Sequence, residues 1–240
     1  MLSFRELKDL LALQEFLTEY GDMSLLPVME EETYAFIVGG TLRFSTKAQG
    51  GRIIEDDYEI KICVPREYPD KTLSVFEVGG RIPDDGDHHV NPFTGNLCLS
   101  APLRQVVWNR RNPRLSSFAE KFLAPFLVAI SCGSFIFGEL PHGDAGVYQD
   151  YMEFFGVKNG KELLRLFLLM SEKNERRLYE MPCPYEGNDH KHRVKKCNKA
   201  RYFLMKFKVI KDSLSSEEWV SEAETLAEFL EREKLEGEKN

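Results

Sequence analysis

Leucines recur at intervals of three or four residues in the first segment of the chain, between Leu10 and Leu17. That spacing keeps their side chains on one face of a helix. Ser3 and Glu6 have the spacing of a capping box, in which two side chains satisfy backbone N–H groups of the first turn. The pattern therefore predicts an amphipathic helix over residues 4–20.

The next segments change to the shorter period of strands. Residues 33–45 and 53–65 mix β-branched and aromatic residues in partial alternation with polar ones, and Gly50-Gly51 lies between them. A glycine pair at such a point favours a turn. A third run of the same kind, residues 72–80, follows, so the pattern predicts an antiparallel meander.

Residues 81–97 form a long segment rich in Pro, Gly, Asp and Asn, and segments of this kind often carry function. The helical period then returns. Residues 117–137 are apolar enough for a long buried helix, and residues 148–156 predict a short helix that ends at Gly156. One domain is therefore predicted to close near residue 157.

The remaining residues are predicted to form a helical extension. A helix is expected over residues 161–179, and Ser215 and Glu218 again have capping-box spacing. The apolar stripe after them consists of Trp219, Ala223, Leu226 and Leu230. The predicted fold class is therefore α+β, with a domain at residues 1–157 and an α-helical C-terminal extension at residues 158–240.

The composition predicts a globular protein of the cytoplasm. Of 240 residues, 42% are apolar, which is ample for a core. The net charge of −7 argues against electrostatic binding of nucleic acid by the whole molecule. Charged residues between Arg5 and Asp9 interrupt the first leucines, so no signal peptide or membrane span is predicted there. Five scattered cysteines favour reduced thiols over a disulfide framework.

Cys98 is distinguished from the other cysteines by its surroundings. It lies in the stretch HHVNPFTGNLCLS, residues 88–100, seven residues after Asn91. Flanking leucines are typical of a cysteine that serves as a small buried hydrophobe. The alternative is an acyl-transfer nucleophile, for which the amide of Asn91 on a rigid loop would stabilise the oxyanion. Cys63 and Cys132 are predicted to be buried and inert.

The order of motifs around Cys98 resembles that of the ubiquitin-conjugating enzyme family. Members of that family carry a helix and a four-stranded meander, then a Tyr-Pro pair, a His-Pro-Asn motif, a Cys-Leu pair, a tryptophan and a long helix. The corresponding residues here are Tyr68-Pro69, His89-Val90-Asn91, Cys98-Leu99 and Trp108. The resemblance covers residues 1–157.

The resemblance implies a fold and an activity. The fold would be the ubiquitin-conjugating (UBC) fold, with a four-stranded meander and a long active-site loop. Cys98 would accept the C terminus of a ubiquitin-like protein as a thioester from an activating enzyme. Asn91 would stabilise the oxyanion while a lysine of the target protein attacks, and His89 would have a structural part. The implied partners are thus proteins, with no cofactor, no membrane and no nucleic acid expected.

Three features depart from the common family pattern. Val90 replaces the proline of the His-Pro-Asn motif, Ser100 replaces an acidic residue of many members, and the loop from His89 to Cys98 is one residue shorter than in eukaryotic members. These features are similar to those of bacterial conjugating-enzyme relatives found with activating enzymes and ubiquitin-like proteins in antiphage operons. Such relatives carry a His-Gly motif after the long helix, which here is Pro141-His142-Gly143.

His142 is the candidate for activating the attacking lysine. A lysine amine is protonated at neutral pH, so its attack benefits from a group that takes a proton. Histidine is suited to that step because it titrates near neutral pH. The alternative is that His142 only caps the following helix or hydrogen-bonds the loop.

Two other functions are open on the same residues. A UBC fold without chemistry would be a binding module, although the presence of Cys98 and Asn91 argues against it. A cysteine hydrolase would use His89 or His142 to activate Cys98 against an isopeptide bond. No Cys-His-Asn arrangement with a protease signature is apparent in the sequence, so this function ranks last.

Four residues of the types that bind zinc lie close together in the extension: Cys183, His190, His192 and Cys197. The segment resembles a degraded SEC-C zinc motif, in which Tyr185 and Asn198 occupy two of the ligand positions. The usual pair of closely spaced cysteines is missing. The segment is therefore predicted to be a loop between helices, without a metal.

Charge is unevenly spread over the extension. Residues 191–211 contain nine Lys or Arg and no acid, whereas residues 217–240 contain nine acids against three bases. The basic run interleaves aromatic residues with its cations, a pattern found in surfaces that contact nucleic acid or an acidic partner. The favoured interpretation is a helix with a solvated cationic face, neutralised in part by the acidic last helix.

Overall fold

The computed structural model describes most of the chain. The described ranges are 2–28, 33–47, 53–133, 143–187, 191–212 and 214–237. They form two compact units, Met1–Glu139 and Leu140–Asn240. This division differs from the predicted boundary after residue 157, because the helix Asp144–Phe155 belongs to the second unit.

The first unit begins with two short helices, α1 (Phe4–Leu10) and α2 (Leu13–Glu19). The predicted capping box of Ser3 and Glu6 is confirmed. The single helix predicted over residues 4–20 is wrong, because Ala12 adopts a left-handed conformation with φ of 48° and interrupts it. The interruption lets Leu11 and Leu13 enter the core together, which residues two apart on one continuous helix cannot do.

A four-stranded antiparallel sheet follows. Its strands, in spatial order, are β1 (Met23–Leu26), β2 (Tyr34–Lys47), β3 (Ile53–Pro65) and β4 (Ser74–Glu77). Each strand pairs with its neighbour in the chain, so the predicted meander and the α+β class are confirmed. The sequence pattern does not reveal β1, because Met23 is its one buried residue. The predicted Gly50-Gly51 turn lies outside the described residues.

Helices follow the sheet along the chain. They are α3 (Pro102–Arg111), α4 (Leu115–Phe118), a π turn (Ala119–Leu123) and α5 (Ala124–Cys132). The last three form one helical run, which starts two residues before the predicted helix 117–137 and is closed by Gly133 at a φ of 62°. The predicted continuation after residue 133 lies outside the described residues. The sequence pattern does not reveal α3.

The helical run Leu115–Cys132 is long and apolar enough to cross a membrane, with a mean hydropathy of 1.4 over 18 residues. Its buried side chains nevertheless belong to the core of the first unit. Phe118, Leu123 and Leu127 cluster there with residues of the sheet. Core packing therefore accounts for the apolarity of these three positions.

The second unit is helical. Its helices are α6 (Asp144–Phe155), α7 (Gly160–Ser171), α8 (Glu175–Glu180), α9 (Asn198–Lys206), α10 (Lys208–Lys211) and α11 (Ser216–Gly237). The ring of Phe167 on α7 contacts Tyr151 and Phe155 of α6, with centroids 5.9 and 6.2 Å away. These contacts explain why α6 belongs here. The helix predicted over residues 161–179 is divided, since Asn174 caps a separate α8.

The predicted apolar stripe of the last helix is confirmed in large part. Trp219, Ala223 and Leu226 are buried, and Leu230 is half-buried. Trp219 packs against Phe167 and donates a hydrogen bond from Nε1 to the Lys211 carbonyl over 3.0 Å. The second capping box is also present, because the Ser215 hydroxyl and the Glu218 carboxylate each accept a backbone N–H of the other residue.

Two cations of the basic run, Arg193 and Lys195, are not neutralised by the acidic last helix as predicted. Both cations contact the carboxylate of Glu180 on α8 instead of the acidic last helix. This pairing holds the pKa of Glu180 below its ordinary value, chiefly through the hydrogen bond from Lys195. Local contacts therefore neutralise part of the basic run.

Glu162 is a buried carboxylate that ties a loop to α7. It is 1% exposed, and its oxygens accept the backbone N–H groups of Lys158 and Glu186 over 2.9 and 2.7 Å. Buried donors without an acceptor are costly.

We expect Glu162→Ala to lower the free energy of unfolding by about 3 kcal/mol, measured by urea denaturation. Glu162→Gln keeps one acceptor oxygen and should cost less. Equal stability of the alanine variant and the wild type would contradict this role.

Candidate functional site

The segment that leads to Cys98 is fixed at its start by Arg81. The guanidinium of Arg81 contacts the Asp56 carboxylate over 2.8 Å and lies 4.3 Å from the centre of the Tyr58 ring. The hydrogen bond from Arg81 holds the pKa of Asp56 well below its usual range. The Glu77 carboxylate also accepts the backbone N–H groups of Arg81 and Ile82. These contacts anchor the segment to β3 and β4.

Asp85 orders the next turn. Its carboxylate accepts the backbone N–H of His88 and contacts the Nδ1 atom of the same residue over 2.6 Å. The contact with His88 lowers the pKa of Asp85. His89 follows with a left-handed φ of 56°, an unusual conformation for a residue other than glycine. The chain reverses at this point.

A short antiparallel bridge then joins Val90 to Leu97. Both side chains are buried, and the Leu97 N–H donates to the Val75 carbonyl over 2.8 Å, which attaches the bridge to β4. The N–H of Val90 donates to the Asp85 carbonyl over 3.1 Å. Proline has no N–H, so valine makes here a backbone hydrogen bond that a proline could not make.

Cys98 directly follows Leu97 of this bridge. Its side chain is exposed, whereas those of Leu97 and Leu99 are buried. This alternation is that of an extended strand. The backbone N–H of Cys98 donates to the His89 carbonyl over 2.7 Å, which fixes the position of Cys98. Desolvation by the surrounding protein raises the pKa of the accessible Cys98 thiol. The interpretation of Cys98 as a buried hydrophobe does not agree with its exposure.

Asn91 folds the tip of the loop. Its Oδ1 accepts the backbone N–H groups of Phe93 and Thr94 over 2.9 and 3.1 Å. Its own N–H donates to the Asn96 carbonyl over 2.9 Å. The side-chain oxygen is thus used by the loop, and Nδ2 is the donor that the amide retains for a substrate. A structural contribution of Asn91 is therefore present, and an additional role toward an oxyanion stays a prediction.

Two features beside the bridge are not apparent from the sequence motifs. Phe93 at the loop tip is 94% exposed, which is unusual for an aromatic side chain. A groove of about 290 Å³ lies along β4 and the bridge, and its lining includes Phe76, Val78, Val90 and Leu97. A phenylalanine within a polar loop is the signal that could have identified the first feature. The groove depends on pairing between distant segments.

Two further motif residues, Tyr68 and Trp108, pack within the first unit. The Tyr68 hydroxyl donates to the Pro113 carbonyl over 2.9 Å, and Tyr68 is buried. Trp108 lies on α3, and its ring centre is 6.2 Å from that of Phe122. Both residues therefore have packing roles. His142, the candidate base, lies outside the described residues.

Cys63 and Cys132 have different environments. Cys63 is buried in β3, as predicted. The prediction that Cys132 is buried is wrong, because it is exposed. It is the last residue of α5, before the closing Gly133, where the helix leaves the core. The first unit therefore carries a second accessible thiol, which serves as a control for Cys98.

The segment between α8 and α9 brings three of the zinc-type residues together. The ligand atoms of Cys183, His192 and Cys197 all lie within 4.8 Å of one another. Both cysteines are buried, and their sulfur atoms are 3.4 Å apart. Burial raises the pKa of the Cys183 thiol to about 11. The segment is a connection between helices, as predicted, but it also forms a group able to bind a metal, and His190 lies outside the described residues.

Comparison with protein-family models, curated proteins and solved structures finds no match to this chain. Conclusions about its function therefore depend on the chemistry of its own residues.

Proposed function

We propose that this chain is an acyl carrier of the ubiquitin-conjugating type. The observation that carries the proposal is the exposed thiol of Cys98 on a bridge whose opposite strand holds Asn91. The order of elements also supports it: helices, a four-stranded meander, a long ordered loop and further helices. The specific fold we propose for this part of the chain is the UBC fold.

The proposed reaction has two steps. The thiolate of Cys98 attacks the thioester of a ubiquitin-like protein on its activating enzyme, and the thiol of that enzyme leaves. A lysine amine of the target then attacks the new thioester. The resulting oxyanion collapses to an isopeptide bond and releases the Cys98 thiolate, while the proton of the amine passes to a base. We assign the donor for that oxyanion to Nδ2 of Asn91.

The acidity of the thiol affects both steps. The pKa of Cys98 is raised by desolvation. A raised pKa lowers the fraction of thiolate at neutral pH, which slows charging, and it makes the thiolate a stronger nucleophile and a poorer leaving group. Once formed, the thioester on such a sulfur is therefore expected to survive until the lysine amine arrives.

The groove beside the bridge provides room for the C-terminal tail of a ubiquitin-like protein. Its apolar lining combines Phe76 of β4 with Val90 and Leu97 of the bridge. Lys61, Glu77 and Asp84 add charged groups at its border. We propose that an extended peptide binds there, beside the residue that precedes Cys98 in the chain.

A charging assay separates the proposal from its alternatives. The full chain would be incubated with ATP, a ubiquitin-like protein and the activating enzyme of that protein, and analysed on a non-reducing gel. We expect a band that disappears on addition of a thiol. Binding without a band would favour a UBC-type binding module. Cleavage of a preformed conjugate would favour a cysteine hydrolase.

A further inference from the structure

We propose that Cys183, His192 and Cys197 bind a zinc ion in the second unit. The proposal is independent of the chemistry at Cys98. It rests on a backbone framework that holds three metal-binding side chains near the separations that zinc requires.

The framework begins with a small hairpin. Pro182 and Arg193 form an antiparallel bridge, and the Cys183 N–H donates to the His192 carbonyl over 2.9 Å. A second backbone bond joins Val194 to the Met181 carbonyl, also over 2.9 Å. Cys183 and His192 are therefore opposite each other across a closed pair of strands. Two residues nine positions apart in the sequence are thus joined by a backbone hydrogen bond.

A turn and the start of a helix position the third residue, Cys197. A 3₁₀ turn, Val194–Lys196, carries the chain from the hairpin to Cys197, the N-cap of α9. The Cys197 sulfur accepts the backbone N–H of Ala200 over 3.3 Å. This hydrogen bond fixes the sulfur of Cys197 at the start of α9.

The separations fit zinc. Tetrahedral zinc with sulfur ligands at about 2.3 Å places two sulfurs about 3.8 Å apart. The sulfurs of Cys183 and Cys197 are 3.4 Å apart, and the third ligand atom lies within 4.8 Å of both. Movements of a few tenths of an ångström up to about 1 Å would complete three corners of the tetrahedron. The fourth corner is available to water.

The donor set selects the metal. Two thiolates and one imidazole are soft or borderline ligands, which favour zinc over magnesium or calcium. Two thiolates balance the double charge of the ion while the imidazole stays neutral. Both cysteines are buried, so the ion would be shielded from solvent. A buried ion of this kind would connect the hairpin to α9 and stabilise the second unit.

The test measures metal content in the full chain. The protein would be produced in zinc-supplemented medium, purified with a reductant and without chelator, and analysed by plasma mass spectrometry. We expect about one zinc per chain for the wild type. The double variant Cys183→Ser/Cys197→Ser should retain less than about one tenth of that amount. Cys98→Ser and Cys132→Ser are matched controls that should keep their zinc, whatever happens to charging.

A second measurement covers the case in which the double variant does not fold. Wild-type chain stripped of metal and titrated with cobalt should show the visible absorption of a tetrahedral site and a thiolate charge-transfer band. His192→Ala should keep the charge-transfer band and bind cobalt at least about tenfold more weakly. A folded wild-type chain that takes up neither zinc nor cobalt would overturn the proposal. So would a zinc-free chain in which peptide mapping finds a Cys183–Cys197 disulfide.

Discussion

Cys98→Ser should abolish the thiol-sensitive conjugate on this chain. A serine hydroxyl is far less nucleophilic than a thiolate at neutral pH, so any ester would form slowly and would resist thiols. We expect the rate of charging to fall by about 10⁴-fold or more, as is typical when the nucleophile of a covalent mechanism is removed. The measurement is the initial rate of band formation on non-reducing gels. A slow band that resists thiols but disappears in alkali would identify the oxyester.

The matched control is Cys132→Ser. Cys132 is an accessible thiol of the same unit but lies at the end of α5, outside the loop that carries Cys98. It should charge at the wild-type rate. If Cys98→Ser charges normally and Cys132→Ser does not, the assignment of the nucleophile is wrong. Loss of charging in both variants would indicate a requirement for the fold and not for one sulfur.

Asn91→Asp and Asn91→Ala should separate the two roles of this side chain. Oδ1 of Asn91 accepts two backbone N–H groups of the loop, so aspartate can preserve the turn while it removes the Nδ2 donor. If Nδ2 stabilises the oxyanion, Asn91→Asp should slow discharge of the Cys98 thioester to free lysine by about 10²–10³-fold. Its melting temperature should stay near that of the wild type. Asn91→Ala should lose both discharge and loop stability.

The control measurement is single-turnover discharge beside thermal unfolding for each variant. A purely structural Asn91 predicts near-normal discharge for the aspartate variant and a loss for alanine that follows its melting temperature. Normal stability and normal discharge in both variants would remove Asn91 from the mechanism. The comparison works because the structure assigns different atoms of one amide to the two roles.

The sequence by itself determined the features whose pattern follows the period of a helix or of a strand. The capping boxes of Ser3 with Glu6 and of Ser215 with Glu218 are present. The alternation in β2 and β3 and the stripe on α11 were also correctly predicted. In each case the information lies within a few residues, because hydrogen bonding and side-chain direction repeat over one turn or one pleat.

Tertiary structure alone decided the exposure of the two candidate thiols. Cys98 lies between two leucines and Cys132 in an apolar run, local patterns that are typical of buried residues, although the motifs around Cys98 predicted an accessible nucleophile. Cys98 is exposed because Val90 and Leu97 turn its bridge so that the leucines on either side face the core. Cys132 is exposed because its helix ends there. Burial depends on which partner covers a residue, and a local pattern does not contain that information.

The same reason applies to the contacts made over longer distances. The sulfurs of Cys183 and Cys197 meet only because a hairpin and a turn close between them. Glu162 is buried only because a loop about two dozen residues later supplies an N–H for its carboxylate. Spacing along the chain identified the chemical types at these positions. Their proximity follows from backbone pairings that the sequence pattern did not predict, since such pairings are decided by the packing of the whole unit.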